Sequence, residues 1–268
     1  MKARSLLIFL VVFILALSGC ELAPAEETEP TEYVMPASLF TTEDFKTVDG
    51  KLVYTGGNAL MGIDVSSHQG QVNWTKVAAS GVKFAFVRLG YRAYGTGELF
   101  EDSYAMANLQ GAKAAGIAVG AYFFSQAISV EEAREEANYA LEILDGFSLD
   151  LPLVYDWEYV NETARSANVD RRTLTDCTLA FCARVAMDEY EPMVYFNTNQ
   201  ALDRLYMQEL EQFPWWLAKY DHSVEFVCRV DLWQYTNQGT LPGISGKVDI
   251  NLMFTDYGIG ADFAEQLH

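Results

Sequence analysis

The chain has 268 residues, half of them hydrophobic and 13% aromatic, enough for one domain with a large core and in keeping with a folded, cleft-bearing protein. Its formal charge of −19 argues against nucleic acid as a partner, because phosphate binding needs clustered Lys and Arg. Acidity otherwise reads as solubility.

The first residues, MKARSLLIFLVVFILALSGC, set Lys2 and Arg4 before an apolar run that closes on small residues, the grammar of a secretory signal. The apolar stretch from Leu6 to Leu17 is shorter than the roughly 20 residues of a spanning helix. Leu17-Ser18-Gly19-Cys20 resembles a bacterial lipobox, so residues 1–19 are expected to be removed and Cys20 to carry a lipid at the outer face of a bacterial membrane. Loss of Lys2 and Arg4 with the signal takes the formal charge from −19 to −21. After Cys20, ELAPAEETEPTEYVMP is too poor in large apolar residues to order itself and reads as an extended, self-repelling tether. Residues 37–58 read as a lead-in, which puts the tether and lead-in at 20–58 and the domain at 59–268.

From Ala59 short apolar runs alternate with longer amphipathic stretches. The runs are ALMGIDVS, VKFAFVRLG, IAVGAYFFS, LPLVYDWEY, PMVYFNT, PWWLAKY, FVCRVDLWQYT and KVDINLMF. Helices are expected over Glu101 to Ala115, Val130 to Asp145 and Arg171 to Glu189. In the second of these Ser129 is placed to cap, and Ala133, Ala137, Ala140 and Leu144 share a face. This rhythm predicts an α/β fold, an irregular single-domain β/α (TIM-like) barrel whose helices thin out after Leu210. Cys177, Cys182 and Cys228 have no zinc-like spacing and read as buried thiols.

Chemistry in such barrels gathers at the C-terminal ends of strands. In YDWEY, Asp156 and Glu158 are two apart in a strand and point to one face, with Tyr155, Trp157 and Tyr159 on the other. Two carboxylates on a buried strand repel each other and lose solvation, which raises one pKa toward that of a general acid. The alternative is a structural pair bonded to loop amides. Asp64 ends the first run and Asp249 lies in the last, read here as the end of the last strand; closure of the barrel brings the two together beside the pair. Trp215, Trp216, Tyr220, Trp233 and Tyr235 lie late in the chain, where ring faces can stack on a ligand or fill the core. Alternation lets only one of Trp215 and Trp216 face the interior. Tyr122, Tyr195, Trp216, Lys219, Trp233 and Gln234 are the candidate substrate contacts.

The ordered set GIDVSSHQG, YDWE, WLAKYD, WQYT and PGISGKVDIN resembles glycoside hydrolase family 25, the Chalaropsis-type N-acetylmuramidases, across Met61 to Met253. The resemblance implies hydrolysis of the β-1,4 bond between N-acetylmuramic acid and N-acetylglucosamine in peptidoglycan; a monomer without metal or cofactor is expected. It implies Glu158 as general acid, Asp156 as its partner, and Asp64 and Asp249 as the other two carboxylates. One departure lies in the third strand, where family members often carry His and this chain has AYFFSQA, with Phe123 in the corresponding stretch.

Rival readings are weaker. The family 18 chitinase pattern DxxDxDxE fails at Leu151 and Val154. A zinc hydrolase needs a ligand cluster, and His68, His222 and His268 are scattered; His68 reads as a loop residue or substrate contact. A wall-binding protein that has lost turnover on the same barrel is the remaining alternative.

Overall fold

The computed structural model describes residues 33–48, 50–220 and 228–266, so the signal, Cys20, residues 21–32 of the tether, His222 and His268 lie outside the described residues. In chain order, a hairpin of β1 (Phe45–Val48) and β2 (Lys51–Tyr54) precedes β3 (Ala59–Val65), α1 (Trp74–Ala79), β4 (Phe84–Arg92), β5 (Leu99–Glu101), α2 (Ala105–Ala114) and β6 (Ala118–Ser125). There follow α3 (Val130–Leu144), β7 (Leu153–Trp157), α4 (Arg171–Ala186), β8 (Pro192–Asn197), β9 (Trp215–Ala218), β10 (Leu232–Gly239), β11 (Val248–Phe254) and α5 (Gly258–Gln266). Each of the eight apolar runs supplies one barrel strand, and the pairing of β3 with β4 closes the ring.

Seven of these strands run parallel, while β11 runs antiparallel to both β10 and β3. The reason is the connection: residues 240–247 are shorter than the dozen or more that a parallel crossover needs, so the chain turns back as a hairpin. Asp249 therefore stands near the start of its strand, not at its end as the sequence reading had it. Reversal puts that start at the same rim as the C-terminal ends of the others, and Asp249 pairs directly with Asp64.

The barrel interior is filled by Phe84, Phe86, Val154, Met193, Trp216 and Leu232. Gly62 and Gly120 make room for the two phenylalanines, since a Cβ at either would stand 2.1 and 2.4 Å from the Phe84 and Phe86 rings. Outside, α3 is capped by Ser129, whose side chain accepts the Glu132 amide, and buries Ala133, Ala137, Ala140 and Leu144 as its periodicity predicts. Cys177, Cys182 and Cys228 are buried free thiols, as expected.

Residues 37–58 are not separate from the barrel, because the compact unit begins at Val34. Phe40 stacks on Phe254 at 4.0 Å and Phe45 meets Trp233 edge-on at 5.3 Å. The signal for the β1–β2 hairpin is Asp49-Gly50 between short β-prone runs. Gly50 has φ +77°, the left-handed conformation that favours glycine in such a turn.

Candidate active site

The C-terminal rim of the parallel strands surrounds a cavity of about 180 Å³ that takes in Asp64, Asp156, Glu158 and Asp249. Residues 151–157 are fully packed, with Asp156 inside β7 and Glu158 one residue beyond it. Alternation sorts the motif as expected. Asp156 and Glu158 line the cavity. Tyr155 turns outward onto Phe181 of α4 at 5.0 Å, and Trp157 lies under the Arg204 guanidinium.

Asp64 and Asp249 stand opposite each other on paired strands and are coupled electrostatically. The Oδ2 of Asp64 accepts from Gln234 Nε2 and from Asn251 Nδ2, both at 2.8 Å. Burial raises the Asp64 pKa, and bonds from Asn251, Gln234 and Asp249 oppose that rise. Burial, the Asp64 charge and the bond to Asp64 push Asp249 up to about 9, so the proton stays on Asp249 at neutral pH. Ionisation of Asp64 is felt across the cavity, where its charge raises both Glu158 and Asp156.

That charge bears on the second pair. Burial, then the charge of Asp64, lifts Glu158 to about 7. Asp156 is held well above the usual carboxylate range by burial, then by the charges of Glu158 and Asp64, with Arg88 pulling the other way. Its buried Oδ1 has no hydrogen-bond partner. Such an arrangement keeps a proton on the Asp156–Glu158 pair near neutrality and leaves it facing open space. It supplies an acid with acidity matched to pH 7 and a carboxylate beside it, the two groups that cleavage of a glycosidic bond requires. Among the described residues no group of three or more His, Cys, Asp or Glu is placed to hold a metal ion.

Glu158 lies past the end of its strand, where the ladder no longer fixes the backbone, and side-chain amides take over. Gln126 Nε2 donates to the Glu158 carbonyl at 2.8 Å, and Gln200 Nε2 donates to the Trp157 carbonyl. Gln126 is itself held by Ser166 Oγ, which donates to its Oε1, and by Arg165, which donates to its backbone carbonyl. Its amide N also donates to Glu136 Oε1, whose charge is met by Arg92 Nε at 2.7 Å. The sequence reading missed Gln126, Gln200 and Asn251. Their signal is positional: they stand at or near the same strand ends as the acids.

Of the candidate substrate contacts, Tyr122, Tyr195, Trp216 and Gln234 line the cavity. Trp216 is the inward member of its pair and donates through Nε1 to Asn251 Oδ1 at 2.9 Å; Trp215 points outward and donates to the Leu210 carbonyl. Trp233 and Lys219 are corrections. Alternation along β10 sends Leu232 and Gln234 inward and Trp233 outward under the hairpin, where its Nε1 donates to the Lys219 carbonyl at 3.0 Å. Lys219 is not among the residues lining the cavity. In the third strand Phe124 faces the cavity, whereas Phe123 packs edge-on against Tyr139 of α3. Arg88, Ser66, Gln69 and Phe124 line it without having been foreseen, while His68 and Tyr220, noted as possible contacts, also line it.

Residues 63–244 match the sequence profile of the Glycosyl hydrolases family 25. The chain is 29% identical over 207 residues to Lysozyme M1 of Streptomyces globisporus, an alignment covering 72% of this chain and 67% of that protein. Its fold is similar to that of the modular autolysin LytC from Streptococcus pneumoniae, with a TM-score of 0.67 and 27% identity over 78% of this chain and 52% of that one. LytC has also been solved in complex with a synthetic peptidoglycan ligand. The bacterial lysozyme from Streptomyces coelicolor gives a TM-score of 0.59 at 26% identity, covering 74% of this chain and 93% of that one. The chain thus spans about half the length of the LytC chain it matches.

Proposed function

The chain belongs to the Glycosyl hydrolases family 25, and we propose on that premise that it is a peptidoglycan hydrolase, an N-acetylmuramidase cutting the β-1,4 bond between N-acetylmuramic acid and N-acetylglucosamine. The observation that carries the reading is the Glu158 carboxyl, raised to about 7 at the mouth of the barrel beside Asp156. Glu158 donates its proton to the glycosidic oxygen as the bond to the anomeric carbon breaks. Asp156 faces the positive charge that develops on the sugar ring, and water completes the hydrolysis. Burial, and after it the charge of Asp64, support this by favouring the protonated form of Glu158.

Purified peptidoglycan treated with the protein is expected to lose turbidity and gain reducing ends, with muramic acid at the new ends. Glucosamine at the new ends would overturn the bond assignment. Binding to the wall without new ends would overturn the enzyme reading in favour of a wall-binding protein.

The same reading takes the protein as lipid-anchored. The supporting features are the lipobox at Leu17 to Cys20 and the acidic, proline-containing stretch that follows it. A single lipid chain binds a membrane only marginally, so stable anchoring needs more than one acyl chain at Cys20. Cys20→Ala is expected to move the protein from the membrane fraction to the soluble one. Unchanged membrane fractionation of that variant would reject the anchor.

A further inference from the structure

The carboxylate cavity, about 180 Å³, is small for a polymer substrate, so a strand threading it must continue on neighbouring surface. A second pocket, of about 300 Å³, opens beside it, and Tyr220 is a wall of both. Its other walls are Tyr235, Thr236, Asn237 and Gln238 at the rim of β10, with Thr47 and Leu52 from the hairpin.

Several features build this pocket from the sequence upward. The β10–β11 ladder slips between Gln234 and Thr236, leaving Tyr235 in a bulge that redirects the rim of the strand. Phe45 seats the hairpin on Trp233, and Trp233 Nε1 holds the Lys219 carbonyl next to Tyr220. The Tyr220 hydroxyl donates to Gln234 Oε1 at 2.6 Å, and Gln234 in turn donates to Asp64. The pocket is thus tied at one wall to the carboxylates. Its other wall comes from residues before position 63, where the family match begins.

The lining chemistry selects a ligand class. Among the described residues no lining side chain carries a charge, the cation close by being Lys247, whose Nζ donates to the Gln238 carbonyl at 3.1 Å; two tyrosine rings offer apolar faces, and hydroxyl and carboxamide groups ring the edge. A neutral sugar ring with hydroxyl and N-acetyl groups suits these walls, whereas an ionised peptide stem would find no counter-charge among them. We propose that this pocket is an accessory subsite for an N-acetylhexosamine unit of the strand being cleaved, added to the cleft by the N-terminal hairpin. The proposal rests on the peptidoglycan hydrolase reading.

The test compares kcat/KM on peptide-free peptidoglycan tetrasaccharides and octasaccharides. The enzymes are the full-length wild type, an Asn237→Ala/Gln238→Ala double variant that trims the exposed rim, and a Thr47→Trp variant that fills the pocket. The wild type should prefer the longer substrate. In both variants that preference should fall about three- to tenfold, the loss of one or two hydrogen bonds, through KM and not kcat. Melting temperatures within a few degrees of wild type would verify folding. An unchanged length preference in folded variants would overturn the subsite. Failure of the wild type to cleave either oligosaccharide would overturn the hydrolase reading, and the subsite with it.

Discussion

Glu158→Gln is expected to lower kcat by about 10² to 10⁴ while leaving KM close to wild type, because a glycosidic oxygen leaves poorly unless a positioned acid protonates it. The substitution keeps the side chain's shape and removes the one proton matched to neutral pH. In the wild type, Glu158 must be protonated to act, so turnover should decline as pH rises through about 7. That alkaline limb should be absent from the variant's residual activity. The effect of the substitution on stability should have the opposite sign to its effect on turnover. Burial raises Glu158 from 4.5 to about 7, so the folded state holds this proton more tightly than the unfolded chain does. The group therefore costs nothing below 4.5, becomes destabilising as pH climbs from 4.5 to about 7, and keeps that full cost above it. By linkage the cost is up to roughly 3 kcal/mol. Glu158→Gln should then melt higher than wild type at pH 8 and at the same temperature at pH 4. Near-normal hydrolysis by the purified variant would remove Glu158 from the acid role, and equal melting at both pH values would show that burial does not strain it.

How far the sequence speaks for this arrangement depends on the kind of signal. The eight strand runs were legible because a barrel strand buried on both faces reads as a continuous apolar stretch between turn residues. The inward orientation of Asp156 followed from the period of a strand, and the pairing of Asp64 with Asp249 followed from closure. What periodicity could not supply was direction and register. It placed Asp249 at the wrong end of β11, because a run of apolar residues is the same in either sense, and only the short 240–247 connection reverses it. It assigned Trp233 to the cavity for a related reason: a tryptophan at a strand end is attractive whichever face it occupies, and the inward face of β10 belongs to Gln234. Residues 45–54 escaped notice because a four-residue strand carries too few alternations to stand out, although Asp49-Gly50 marks the turn between them. The amides of Gln126, Gln200 and Asn251 act on backbone or on other side chains at long sequence separation, so their position near strand ends marks them as candidates while their partners are not encoded locally.

Asp156→Asn should be nearly as damaging as loss of the acid, by about 10² to 10³ in kcat, the cost of removing one preorganised charge-stabilising group from a dry site. The side chain is enclosed on β7, its Oδ1 meets no donor, and Arg88 is the one nearby group that favours its charged form. Burial holds Asp156 toward its neutral form, and its ionised form has its strongest partner in the positive sugar ring of the transition state, so its stabilising effect is realised when the bond breaks. Asparagine keeps the volume and loses the charge. The charge of Glu158 helps to raise Asp156, so the two carboxyls titrate as one pair, and removing Asp156 should move the alkaline limb of any residual activity. That shift separates an electrostatic role from a packing role, which would lower activity without moving the profile. The anomer first released by the wild type then fixes what the carboxylate does next. Inversion would mean that water attacks directly, while retention would mean that Asp156 attacks the sugar or assists the substrate's own N-acetyl group. Wild-type turnover in Asp156→Asn would remove Asp156 from all three routes and leave Glu158 as an acid acting without that partner.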